Sequence, residues 1–190
     1  LYRHVIENDK ITRSCSGSAM APGCEIAGKT VGIIGMGAIG QRTALLAQAF
    51  GCRVIAWNRT AKQVDRVTFV DKETLLRESD IVALHLALND DTRDFLTAKD
   101  FAIMKKSSVI VNAARGPIVN TKDLAEALNN GTIAGAAVDV YDCEPPLPSD
   151  NPLLTAPNTM LLPHIGFATK EAFELRLRIV VGNVERFLSI

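Results

Sequence analysis

The amino-acid sequence predicts a three-layer α/β fold, with helices on both faces of a doubly wound parallel sheet. Short runs rich in β-branched residues recur along the chain, and most of them are followed by a helix-like stretch. Most of these runs are apolar throughout, as expected for strands that are covered on both faces. The 190 residues are 47% hydrophobic, so the chain can bury a substantial core.

Seven strands and five helices are predicted. The strands span residues 30–34, 53–57, 68–70, 81–84, 109–112, 134–138 and 159–162, and the helices span residues 39–50, 72–78, 98–104, 122–129 and 168–188. Thr121 is the predicted N-cap of the fourth helix, and Gly131 lies past its end. The closing helix carries an apolar stripe that predicts core packing or a subunit contact, formed by Phe173, Leu177, Val180, Val184 and Phe187.

Charge and composition favour a small-molecule partner. Lysine plus arginine and aspartate plus glutamate both total 21, so no net charge attracts nucleic acid or an anionic membrane. No apolar run is long enough to cross a bilayer, and the first residues lack the order of a signal peptide. A cytoplasmic location is therefore expected. The four cysteines are scattered without a paired motif, so neither a disulfide framework nor a metal site is predicted.

A glycine-rich segment follows the first predicted strand and leads directly into a helix. Its glycines, Gly35, Gly37 and Gly40, have the GxGxxG spacing. In this context the first glycine permits a tight turn, the second lets the backbone approach a pyrophosphate, and the third lets helix and strand pack closely. The amides of Ala38 and Ile39 would then face the phosphates at the positive end of the helix dipole. A glycine-rich turn without a ligand is the alternative, but the strand and helix context favours a Rossmann-type dinucleotide site.

The residues after the second strand favour NADP over NAD. An NAD-selective site places a carboxylate at this strand end to bind the adenosine ribose hydroxyls. This chain has Asn58, Arg59 and Thr60 there instead, which offer a guanidinium and a hydroxyl to a 2′-phosphate. The alternative is an exposed turn arginine that binds no ligand.

Five segments together resemble the D-isomer-specific 2-hydroxyacid dehydrogenase family, over about residues 25–164. They are GMGAIG, VALHL around His85, VNAARGP around Arg115, AAVDVYDCEP with Asp139 and Glu144, and LPHIG around His164. Their order and the spacing from arginine to glutamate match the family pattern. Ala38 and Ala87 depart from it, since a basic residue and a proline are frequent at these positions, and both departures lie on the cofactor side.

The resemblance implies both the catalytic residues and the residues around the cofactor. It assigns catalysis to Arg115, Glu144 and His164. Its cofactor-binding positions, besides the glycine loop, are Leu86, Ala113, Ala114, Arg115, Asp139, His164, Gly166 and Phe167.

The chemistry of these side chains suits hydride transfer to a 2-keto acid. The alkoxide that results must gain a proton, and histidine can donate one near neutral pH. A carboxylate such as Glu144 would favour the imidazolium, while Arg115 would clamp the substrate carboxylate and polarise the keto oxygen. Asp139, at a strand end, could hold the nicotinamide carboxamide. Taken singly, each of these residues has an ordinary structural explanation, whereas their order behind a dinucleotide fold favours a site.

The resemblance also implies a domain organisation and a function. Residues 1–28 are expected to hold an inter-domain helix fragment and a loop, and residues 29–190 the dinucleotide-binding domain, with the family's substrate domain largely absent from this chain. The expected function is that of an oxidoreductase acting on a small 2-keto or 2-hydroxy acid such as glyoxylate or hydroxypyruvate, as a homodimer. Two alternatives stay open, namely a nucleotide-binding interaction module similar to corepressors that share the fold, and a non-catalytic fragment.

Overall fold

The computed structural model, which describes residues 1–15, 20–60, 62–143 and 146–188, contains one seven-stranded sheet. All neighbouring strands are parallel, in the order β3-β2-β1-β4-β5-β6-β7. The strands are β1 (Thr30–Ile34), β2 (Arg53–Trp57), β3 (Thr68–Phe69), β4 (Ile81–Leu84), β5 (Val109–Asn112), β6 (Gly135–Val138) and β7 (Thr159–Leu161). The predicted fold class is confirmed, and the predicted strands differ from the observed ones by at most one residue at either end.

Six α-helices accompany the sheet within the described ranges. They are α1 (Val5–Ser14), α2 (Ala38–Ala49), α3 (Lys72–Glu78), α4 (Ala98–Phe101), α5 (Thr121–Asn129) and α6 (Lys170–Leu188). Helix α4 ends earlier than predicted, because the amides of Ile103 and Met104 bond to carbonyls three residues back rather than four.

The predicted N-cap of α5 was wrong. Asn120 occupies that position, and its side-chain oxygen accepts a hydrogen bond from the Asp123 amide at 3.1 Å. Thr121 is instead the first helical residue, and its hydroxyl donates to the Asp142 carboxylate at 2.7 Å.

Both faces of the sheet are buried. Along β1, Ile33 packs into one apolar cluster and Ile34 into the other, and in β2 Ile55 and Ala56 divide in the same way. This alternation follows from the two-residue period of a strand, and it explains why the strands are apolar throughout.

The strand order places a crevice at the carboxyl ends of β1 and β4. From β1 the chain winds through β2 and β3 in one direction, then returns to β4 and continues in the other. In open parallel sheets, such a switch point is where ligands bind, because the helices that follow the two strands lie on opposite faces and leave a gap.

Helix α6 buries none of its side chains between Lys170 and Leu188. The apolar stripe runs along it with exposed fractions of 51% to 77%. The prediction of core packing for this stripe is therefore wrong within the described chain, while a subunit contact stays a prediction. Among the described residues, no helix has the length and hydropathy that crossing a lipid bilayer requires.

Candidate dinucleotide and active site

The glycine loop between β1 and α2 has the geometry of a phosphate cradle. Gly35 has φ +101°, and a Cβ there would lie 2.7 Å from the His85 carbonyl oxygen, so only glycine fits. A Cβ at Gly40 would overlap the carbonyl oxygen of Gly35. Gly37 differs, because no described atom lies within 4 Å of a Cβ built on it. Its missing side chain leaves open space at the N-terminus of α2, where the first amides have no partner within the helix.

Asn58 supports this loop. Its side-chain oxygen accepts a hydrogen bond from the Met36 amide at 3.0 Å, and its side-chain amide donates to the Thr60 carbonyl at 2.8 Å. The oxygen of the Asn58 side chain thus ties the end of β2 to the glycine loop, while its amide group closes the turn after β2.

Two adjoining cavities extend from the glycine loop along the carboxyl ends of the strands. The first, of about 390 Å³, includes Gly37 and all three predicted residues of the turn after β2. The second, of about 400 Å³, includes the predicted residues Leu86, Ala113, Ala114 and Arg115 together with Ile39. Because residues 85–87 line both, the cavities meet at the end of β4. Two connected compartments on either side of a phosphate cradle fit the two halves of a dinucleotide.

His85 links the end of β4 to helix α2. Its Nε2 lies 3.0 Å from the Thr43 hydroxyl, which donates to the carbonyl of Ile39 at 3.1 Å. Burial lowers the pKa of His85, so the neutral imidazole is favoured. The contact gives His85 a structural role beside the cofactor crevice.

The loop that carries Arg115 is held by a buried side chain at the end of β5. Asn112 is 2% exposed, accepts a hydrogen bond from the Ala114 amide at 3.1 Å and donates to the Arg115 carbonyl at 3.0 Å. A Cβ at Gly116 would overlap the backbone of Tyr141, so this loop lies directly against the chain that follows β6. Arg115 itself is exposed.

The loop that carries His164 is held by Asp139. Its two carboxylate oxygens accept hydrogen bonds from the amides of Ile165 and Gly166, both at 2.8 Å, and Asp139 is only 7% exposed. On the other side of His164, the Tyr141 hydroxyl donates to the Leu162 carbonyl at 2.9 Å. His164 adopts φ +56°, a left-handed conformation that costs a non-glycine residue energy. These hydrogen bonds on either side stabilise the loop in this conformation.

Three of the predicted site residues therefore lie at the ends of neighbouring strands. Arg115 follows β5, Asp139 follows β6, and His164 follows β7, and these strands are adjacent in the sheet. Glu144 lies outside the described residues. Gly166 and Phe167 belong to the His164 loop, where the Phe167 ring meets the imidazole edge-on at 5.5 Å between centroids.

Sequence reasoning missed three residues that shape the site. Asn112 had a usable signal, since it is a polar residue that ends the otherwise apolar strand VIVN. Tyr141 had none, because its hydrogen bond reaches a carbonyl 21 positions away. Lys62 was also missed, although it lines the first cavity beside Arg59.

A GxGxxG loop at the switch point of a parallel sheet, with two connected cavities, defines a dinucleotide-binding domain. The chain belongs to the D-isomer specific 2-hydroxyacid dehydrogenases, since the model of that family's NAD binding domain matches residues 1–166.

Named relatives and a solved structure agree with this family. The chain is 41% identical to a hydroxypyruvate reductase of Blautia hydrogenotrophica, covering 88% of this chain and 53% of the relative. It is also 41% identical to a glyoxylate reductase of Aeropyrum pernix, with 90% and 51% covered. The crystal structure of a glyoxylate reductase from Paecilomyes thermophila superposes with a TM-score of 0.87 at 37% identity, covering 97% and 57%. The chain spans about half the length of the curated relatives it matches.

Proposed function

We propose that this chain is the cofactor domain of an enzyme that reduces a small 2-keto acid, such as glyoxylate or hydroxypyruvate, with a nicotinamide dinucleotide. The observation that carries the proposal is the convergence of Arg115, Asp139 and His164 at the ends of three adjacent strands. The second cavity, which Arg115 lines, lies at the same edge of the sheet. The substrate class is that of the similar hydroxypyruvate and glyoxylate reductases.

In this mechanism the bound nicotinamide supplies the hydride that converts the keto carbon to a hydroxyl-bearing carbon. The guanidinium of Arg115 binds the substrate carboxylate and polarises the keto oxygen. The imidazolium of His164 donates a proton to that oxygen as negative charge develops on it, and recovers one in the reverse reaction. Glu144 is the proposed carboxylate partner that favours the charged imidazole. Asp139 keeps the His164 loop in place and is proposed to contact the nicotinamide carboxamide.

NADP is the proposed preferred cofactor. Directly after β2 the sequence offers Arg59 and Thr60 and no carboxylate, and both residues line the first cavity. A cation at this place favours a 2′-phosphate, whereas a carboxylate would repel it.

A homodimer is proposed on the exposed apolar stripe of α6. Solvent-exposed apolar side chains that form a continuous stripe mark interaction surfaces more often than isolated ones do. The stripe is exposed over its whole described length.

The reaction is tested by His164→Ala in the protein encoded by the complete reading frame. Turnover of glyoxylate or hydroxypyruvate with NADPH should fall by about 10²- to 10⁴-fold, the usual contribution of a positioned acid or base. The dissociation constant for NADPH, measured by fluorescence titration, should stay nearly unchanged. Full turnover in this variant would remove His164 from the mechanism.

A further inference from the structure

Two cationic side chains of the first cavity differ in where they point. The Arg59 guanidinium lies 3.7 Å from the Asp91 carboxylate, and both side chains are 80% exposed. The ammonium of Lys62 donates instead to the carbonyl oxygen of Met36 at 2.9 Å. Met36 lies between the first two glycines of the phosphate cradle. Lys62 therefore connects the chain after β2 to the glycine loop, while Arg59 faces the Asp91 carboxylate.

This position is where a dinucleotide site reads the adenosine ribose. In Rossmann-type sites the 2′ position of that ribose lies between the glycine loop and the end of the second strand. Asn58 holds the same two segments together through the amide of Met36. The Lys62 ammonium and the Asn58 side chain thus bind the carbonyl and the amide of Met36, and both Lys62 and Asn58 line the first cavity.

We infer that Lys62 is a specificity-determining residue that binds the 2′-phosphate of NADPH. A lysine ammonium has three donors, and the Met36 carbonyl uses one, which leaves two for phosphate oxygens. The phosphate carries a charge of about −1.5 to −2 near pH 7, so it attracts the ammonium strongly. The inference deepens the proposed NADP preference and rests on it.

Asp91 weakens the same site. Its carboxylate lines the first cavity and pairs with Arg59, so it repels a phosphate and competes for the guanidinium. An exposed ion pair of this kind contributes only about 0–1 kcal/mol, so Arg59 is free to exchange partners when a phosphate enters. The Lys62 ammonium is already held at the glycine loop, whereas the Arg59 guanidinium must leave Asp91 before it can bind a phosphate.

The test is fluorescence titration of the chain with NADPH and NADH, with Trp57 as the donor. Trp57 is the single tryptophan and lines the first cavity. Lys62→Ala should weaken the binding of NADPH about tenfold and leave the affinity for NADH nearly unchanged, as expected for the loss of one charge-assisted hydrogen bond. Lys62→Arg, which keeps the charge, should retain most of the preference. Asp91→Asn, which removes the repelling carboxylate, should tighten the binding of NADPH by up to about fivefold.

Lys122→Ala is the matched control, since it removes an exposed lysine charge on α5 away from both cavities. An equal loss of affinity for NADPH and NADH in Lys62→Ala would overturn the inference, because Lys62 would then only stabilise the glycine loop. An unchanged NADPH preference in Lys62→Ala would overturn it too. Equal affinities in the unmodified chain would instead refute the NADP preference itself, and the two failures are thereby told apart.

Discussion

At the scale of single residues, the candidate site depends on side chains that act on the backbone of neighbouring loops. Asp139 accepts two amides of the His164 loop, and Asn112 binds an amide and a carbonyl of the Arg115 loop. Neither arrangement involves the proposed reacting groups directly. The backbones of the Arg115 and His164 loops are therefore held by buried residues at the strand ends, and we expect this to position the proposed reacting side chains.

Asp139→Asn tests this positioning role. The asparagine side chain has one acceptor oxygen where aspartate has two. The hydrogen bond from either the Ile165 or the Gly166 amide is therefore lost, and the remaining one is weakened because its acceptor is no longer charged. Such a bond contributes about 1.5–3 kcal/mol, so the two loop amides should exchange with solvent deuterium roughly tenfold or more faster. Asp142→Asn, which removes an exposed carboxylate three residues on, is the control. Unchanged exchange in Asp139→Asn, or equal acceleration in the control, would show that Asp139 does not hold the loop.

At the scale of elements, α6 and α1 differ from the other helices of the described chain, because neither of them buries a residue. Helices α2 and α5 bury small or apolar residues against the sheet, whereas α6 buries none. It also follows directly on the His164 loop, where the Arg176 guanidinium lies 5.2 Å from the centroid of the Phe167 ring. A contact that covers α6 would therefore also restrict the segment next to the proposed proton donor.

Val180→Asp tests the proposed subunit contact on this helix. Val180 is 57% exposed within one chain, so a carboxylate there costs the monomer little and places a charge in the centre of the stripe. Light scattering after size exclusion should report a dimer for the unmodified chain and a monomer for the variant. The control is Arg178→Glu, which changes a charge on the side of the helix that faces away from the stripe. This variant should remain dimeric. A monomeric unmodified chain at all concentrations would contradict the dimer.

At the scale of the whole molecule, local patterns predicted the architecture well. The strands and the glycine loop are determined by residues that are close together in the sequence, so apolar runs and the GxGxxG spacing were sufficient to place them. The contacts inside the site depend on how separate strand ends meet. Asp139 and the two amides it binds are 26 and 27 residues apart, and Lys62 reaches a carbonyl 26 residues earlier. The resemblance identified Asp139 as a site residue but gave no indication that it holds the His164 loop.

The central claim is that the glycine loop of this chain holds a nicotinamide dinucleotide, and Gly37→Val tests it most directly. Gly37 has an ordinary φ of −76° and free space around the position of a Cβ, so the variant should fold with nearly the same thermal midpoint. Gly182→Val, in a similarly open position on α6, is the control. In titrations followed by energy transfer from Trp57, the unmodified chain and the control should bind NADPH, while Gly37→Val should bind at least a hundredfold more weakly, about 2.7 kcal/mol. NADPH affinity that is absent in the unmodified chain, or unchanged in Gly37→Val, would contradict this account.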